Sequence, residues 1–148
     1  MKLVDKMKDE NLGLAILYNF TKGYGHVPMS VYDVVLPFLY HDGFRNHLFE
    51  GVEVEEALTK CVQEDASFIQ NILDTIEKDK EMTSRALGIC LLNKYLSFEF
   101  EDNEMKGIYH ESSILDINEA INLGKFFSGK SYEDILNILK KRVLMLSF

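Results

Sequence analysis

The sequence predicts a mainly α-helical single domain that carries one β-hairpin. Three observations support this. Tyr95-Leu96-Ser97-Phe98-Glu99-Phe100 and Met105-Lys106-Gly107-Ile108-Tyr109 alternate apolar and polar side chains as half-buried strands do, with turn chemistry in Glu101-Asp102-Asn103-Glu104 between them. The segments on either side repeat their apolar residues at helical spacing. A length of 148 residues suits one domain with a single core. Helices followed by a hairpin form a winged-helix-like outline, which serves to grip nucleic acid or protein.

The elements follow in chain order. Residues 11–24 form a first helix whose apolar side chains, Leu12, Leu14, Ala15, Ile16, Leu17, Tyr18 and Phe20, cover more than one face and place it centrally. Gly23 or Gly25 ends it, and His26-Val27-Pro28-Met29 is a loop. Ser30-Val31-Tyr32-Asp33 resembles a capping box, and the helix it opens must kink or restart at Pro37, which lacks an N–H. Short helices follow at Phe44–Phe49 and Glu53–Gln63. Phe68, Ile69, Ile72, Leu73 and Ile76 form an amphipathic stripe over residues 66–79. Thr83 then caps a separate helix over 84–94, in the position of a recognition helix. After the hairpin, Asp116-x-x-Glu119 and Ser131-x-x-Asp134 open helices over 117–127 and 132–142, separated by Ser128-Gly129.

Composition narrows the function. The chain is 47% hydrophobic and 27% charged, as a globular protein is, and its longest apolar run, Val34–Tyr40, is too short for a membrane span of roughly 20 residues. The charged start, Met1-Lys2-Leu3-Val4-Asp5-Lys6, does not suit a signal peptide, so the expected location is cytoplasmic with no membrane partner. The net charge is −8, of which residues 51–100 hold −5. Lys140-Lys141-Arg142 is the one local basic run, so a counterion-displacing DNA face is not apparent. Duplex DNA binding by the isolated chain is expected to be weak or absent. An acidic, aromatic-rich surface suits a protein partner better.

No catalytic, cofactor or metal constellation is expected. His41 and His47 lie six apart, off the zinc-binding helical spacing, and His26 and His110 stand alone. Lys22-Gly23-Tyr24-Gly25 lacks both the strand and the Lys-Ser/Thr ending of a phosphate loop. Glu99, Glu101, Asp102, Glu104 and Glu111 are solvated residues on and around the hairpin, without the lysine a metal-dependent nuclease requires. Cys61 and Cys90 fit buried thiols. Partner contact is expected around the kinked Pro37 region, including Tyr40, and through the apolar tail Val143–Phe148. An extended tail would present Leu144, Leu146 and Phe148 on one side; a continued helix would instead place them against this domain's own core.

Ala15-Ile16-Leu17-Tyr18, Phe20-Thr21-Lys22-Gly23-Tyr24, Val34-Val35-Leu36-Pro37-Phe38-Leu39-Tyr40-His41 with Arg45, Leu123-Gly124-Lys125-Phe126-Phe127 and Ile135–Lys140 share a further property. In this order they resemble the middle component of three-component ABC systems, the SMC-like bacterial defence operons of the Lamassu type. Two places depart from that pattern: Leu12 follows Asn11 where the family usually has Asn-Pro, and Lys140-Lys141-Arg142-Val143 replaces a common Leu-Gly-Val-Arg-Pro ending. The resemblance implies a non-catalytic adaptor between an SMC-like ABC ATPase and an effector subunit, commonly a nuclease, in an anti-phage or anti-plasmid complex. ATP hydrolysis, magnesium and DNA cleavage would then belong to the partners, with DNA reached only through the complex. The rival reading is a stand-alone winged-helix DNA-binding transcriptional regulator, with Arg85, Asn93 and Lys94 facing DNA.

Overall fold

A computed structural model describes residues 10–146, with the side chains of 10 and 143–146 outside the description. Among the described residues, seven helices and a 3-10 helix accompany a small antiparallel sheet: α1 (Glu10–Tyr24), β1 (Val27–Pro28), the 3-10 helix (Met29–Val34), α2 (Val35–Leu39), α3 (Asp42–Phe49), α4 (Val54–Glu64), α5 (Phe68–Leu92), β2 (Leu96–Glu101), β3 (Glu104–Tyr109), α6 (Asn118–Phe127) and α7 (Tyr132–Leu146). The mainly helical class with a hairpin is therefore correct. Helix α1 is the central element, with Ile16, Leu17, Tyr18 and Phe20 all buried, as its broad apolar surface requires.

The chain ends α1 at Gly25, whose φ of +107° is open to glycine at little cost and whose N–H bonds to Thr21 O at 2.9 Å. Gly23 has a different role. It lies inside α1 against α6, where an added Cβ would overlap the backbone of Ile121. Gly124 on α6 reciprocates, its bare Cα lying against Phe20 O and Tyr24 N. Among the described residues, α1 and α6 form the most extensive helix packing. Polar ties reinforce it: Tyr24 Oη donates to Lys130 O at 2.6 Å, Ser128 Oγ to Tyr24 O at 2.7 Å, and Lys22 Nζ meets Asp116 at 2.8 Å.

Several expected boundaries move, each for a local reason. Residues 27–28 form a strand rather than a loop, pairing with β3 at Val27↔Gly107 and Pro28↔Lys106. Ser30 does not cap a helix; it lies within the 3-10 turn that starts directly after Pro28. The restart near Pro37 is real but comes at Val35, so Pro37 falls in the first turn, where a missing N–H costs nothing. The expected break between residues 79 and 84 does not occur: α5 is continuous, and Thr83 is buried inside it. The Asp79-Lys80-Glu81-Met82 stretch contains neither Gly nor Pro, so nothing interrupts the helix. Asp116 pairs with Lys22 instead of capping α6, whose N-cap is Ile117. Ser131 and Asp134 do form a reciprocal capping box, with bonds of 3.0 and 3.1 Å.

The core is continuous from α1 to α7. Its centre is aromatic: Phe38 lies 5.2 Å from Phe44, 6.4 Å from Phe68 and 5.8 Å from Phe127, measured between ring centroids. Tyr32 extends this core beneath the sheet. Its hydroxyl bonds Thr21 Oγ1 at 2.7 Å, and its ring lies against Gly107, where an added Cβ would clash.

Candidate functional site

The hairpin turns at Asp102 (φ 52°) and Asn103 (φ 64°), two left-handed residues as a tight two-residue connection requires. The register pairs Phe98 with Gly107 and Phe100 with Met105, so Phe98 and Phe100 share a face. Burial divides them. Phe98 packs against the core, whereas Phe100 is 68% and Met105 42% exposed. The core thus ends beneath Phe98. The opposite face carries Glu99, Glu101 and Glu104 beside Lys106, with His26 Nδ1 at 2.9 Å from Glu101 and Lys106 Nζ at 3.3 Å from Asp102.

A second surface lies between helices. Leu12, Ile16, Leu39, Phe49 and Ile117 line a cleft of about 400 Å³ over Arg45. Phe49 is 70% exposed, and Leu115, two residues before Ile117, is 84% exposed. Arg45 is only 5% exposed. Its guanidinium bonds Asp42 Oδ1 at 2.5 Å and Leu39 O at 3.4 Å, while its Nε has no partner among the described residues.

Pro37 and Tyr40 are both buried in the free protein and line a groove of about 330 Å³ with His41, Asp42, Gly43 and Ile72. The backbone of residues 143–146 continues α7 as helix, so the tail is not extended there. The side chains of Leu144 and Leu146, and all of Phe148, lie outside the described residues. In the basic run, Arg142 is engaged within the fold, bonding Thr59 Oγ1 at 2.8 Å and approaching Glu55 at 3.6 Å.

The candidate recognition residues also have other duties. Arg85 bonds Glu81 at 3.1 Å, Asn93 Nδ2 donates to Ile89 O at 2.9 Å, and Lys94 occupies a left-handed turn position. Among the histidines, His47 meets Glu64 at 2.6 Å and His110 meets Ser97 at 2.8 Å. Among the described residues, no group of three or more His, Cys, Asp or Glu side chains is arranged to hold a metal ion. Cys61 and Cys90 are buried free thiols, and burial pushes their pKa values up to about 11 and about 12. Both are therefore poor nucleophiles near neutrality.

His41 caps α3: its Nδ1 accepts the Phe44 N–H at 3.1 Å. Burial holds its pKa below the usual histidine range, with Asp65 and Asp42 opposing and Arg45 reinforcing the shift. The folded state therefore binds this proton less readily than the unfolded chain. The associated stability is complete above about pH 6.5 and is lost as pH falls through the folded value. In His41→Asn, which keeps a capping acceptor, the loss of stability between pH 7.5 and pH 5 should be smaller than in the wild type. Urea midpoints measured across that range give the difference.

These features define a mainly helical domain with a short antiparallel sheet, apolar side chains exposed in more than one place, and a buried cation beneath a cleft. The family model described as ABC-three component (ABC-3C) system Middle Component 3 matches residues 12–142, and the chain belongs to that family. It is thus a middle component that works with other members of a multi-component system. No curated protein and no solved structure matched it. Among the described residues, no helix is long and apolar enough to cross a membrane.

Proposed function

We propose that this middle component is a non-catalytic adaptor that joins an SMC-like ABC ATPase to a nuclease-type effector in an anti-phage or anti-plasmid complex. Family membership carries the proposal. The surface supports it. Phe49 and Leu115 stand exposed around the interhelical cleft, and Phe100 and Met105 stand exposed on the hairpin, a separate element. A bridging protein needs two docking surfaces, and apolar side chains that cluster into a contiguous exposed patch are what mark such a surface. ATP, magnesium and DNA are assigned to the partners.

Co-expression of the three components of one system tests this reading. A tagged ATPase should capture the effector when this chain is present and lose it when the chain is omitted. Titrating the isolated chain against labelled duplex DNA near physiological salt should give no sub-micromolar binding, since its net charge of −8 and acidic hairpin tip oppose phosphate contact. Sub-micromolar affinity with a steep salt dependence, together with capture of the effector regardless of this chain, would replace the adaptor with the DNA-binding regulator.

A further inference from the structure

The sheet has the order β1-β3-β2, which leaves β2 on an edge. The hydrogen-bond parity of the hairpin identifies which backbone groups face that edge. His110 N–H bonds Tyr95 O at 2.9 Å, so Tyr95 and His110 are a hydrogen-bonded pair. Bonded and non-bonded pairs alternate along an antiparallel ladder. Ser97, Glu99 and Glu101 therefore bond inward to Ile108, Lys106 and Glu104. Leu96, Phe98 and Phe100 direct their N–H and C=O groups away from β3. Among the described residues, β3 is the one strand paired with β2.

Proteins usually blunt such an edge with proline, lysine, a bulge or a covering segment. Strand β2, Leu-Ser-Phe-Glu-Phe-Glu, contains neither proline nor lysine, and its register with β3 runs unbroken through all six residues. Its side chains specify what would fit. One face offers Phe98 and the exposed Phe100; the other offers Glu99 and Glu101. A second copy of this chain is a poor match: it would add two more glutamates to the acidic face and bring a second charge of −8.

We infer that the outer edge of β2 receives an extended strand from another component of the system, one that alternates apolar residues with Lys or Arg. Its backbone completes the hydrogen bonds of Phe98 and Phe100, the outward residues beyond the buried Leu96. Its apolar residues lie beside Phe98 and Phe100, and its basic residues beside Glu99 and Glu101. Strand addition of this kind takes affinity from the main chain and selectivity from alternate side chains. The inference rests on the adaptor reading, because it requires a protein partner.

Amide hydrogen exchange on the labelled full chain tests it, alone and in the purified three-component complex. In the free protein, Phe98 and Phe100 amides should exchange rapidly while Glu99 and Glu101 amides are protected. In the complex, Phe98 and Phe100 should slow on the order of 100-fold. A complex that forms with these two amides still exchanging rapidly overturns the edge assignment and leaves the adaptor reading intact. Failure of any complex to form overturns both. Protection already present in the free protein also overturns it: if independent of concentration the chain covers its own edge, and if concentration-dependent a second copy does.

Substitution provides an independent readout. Phe100→Pro and Phe100→Thr both remove the ring, but only proline also removes the outward N–H, and neither touches the ladder to β3. Phe100→Pro should weaken complex formation roughly tenfold beyond Phe100→Thr. Equal affinities for the two variants would overturn the main-chain contact.

Discussion

Replacing Phe38 by alanine should destabilise the protein by about 4 kcal/mol. Its ring is fully buried and in contact distance of three other phenylalanines from three different helices: Phe44 on α3, Phe68 on α5 and Phe127 on α6. Truncation loses the transfer free energy of the ring and leaves a cavity that four helices would have to move to fill. Because α2 is short and all five of its residues are buried, local collapse is a poor remedy. Urea unfolding should show a lower midpoint with little change in slope, and melting should fall by roughly 10 °C. Phe38→Leu, which retains most of the volume, should lose less than about 2 kcal/mol. A loss below 1 kcal/mol for Phe38→Ala would mean that the aromatic cluster is not the centre of the core.

Gly124→Ala should cost roughly 3 kcal/mol, although alanine is the better helix former. The new methyl would overlap the carbonyl oxygen of Phe20 and lie 2.8 Å from Tyr24 N, both rigid backbone rather than a side chain that can swing aside. Gly23→Ala meets the same obstacle from the other helix, at Ile121. Gly88 is the control. It lies within α5 with open space where its Cβ would be, so Gly88→Ala should stabilise by up to about 1 kcal/mol. Thermal melts of the three variants test the contrast. Equal shifts for Gly124→Ala and Gly88→Ala would show that α1 and α6 are free to separate.

Local signals in the sequence located most elements. The hairpin, its turn at Asp102-Asn103 and the Ser131–Asp134 capping box depend on neighbours a few residues apart, and all three appear where their patterns place them. Relationships across the chain were not legible. Strand β1 is two residues long, too short for any period, and exists because β3 lies beside it. Gly23 has the appearance of a helix stop until Gly124 is seen against the same helix. Thr83 resembles a cap, yet tertiary burial and helix-forming neighbours carry α5 through it. The candidate surfaces follow the same division. The apolar character of Phe100 and the acids around it were visible in the sequence. Which edge of the hairpin stays open depends on where β1 docks, and the cation beneath the cleft depends on how α1, α2, α3 and α6 converge.

The embrace of α1 and α6 also affects how the chain matures on the ribosome. Helix α1 emerges first, but the helix that covers one of its faces lies about 100 residues later, as do the bonds from Asn19 to Leu115 and from Tyr24 to Lys130. At ordinary elongation rates of about 5–20 residues per second, its apolar side chains would wait roughly 5–20 s before α6 arrives. For that interval the nascent chain resembles a substrate for holding chaperones more than a domain. Stalling between residues 92 and 127 should therefore favour aggregation, whereas the released chain should not aggregate.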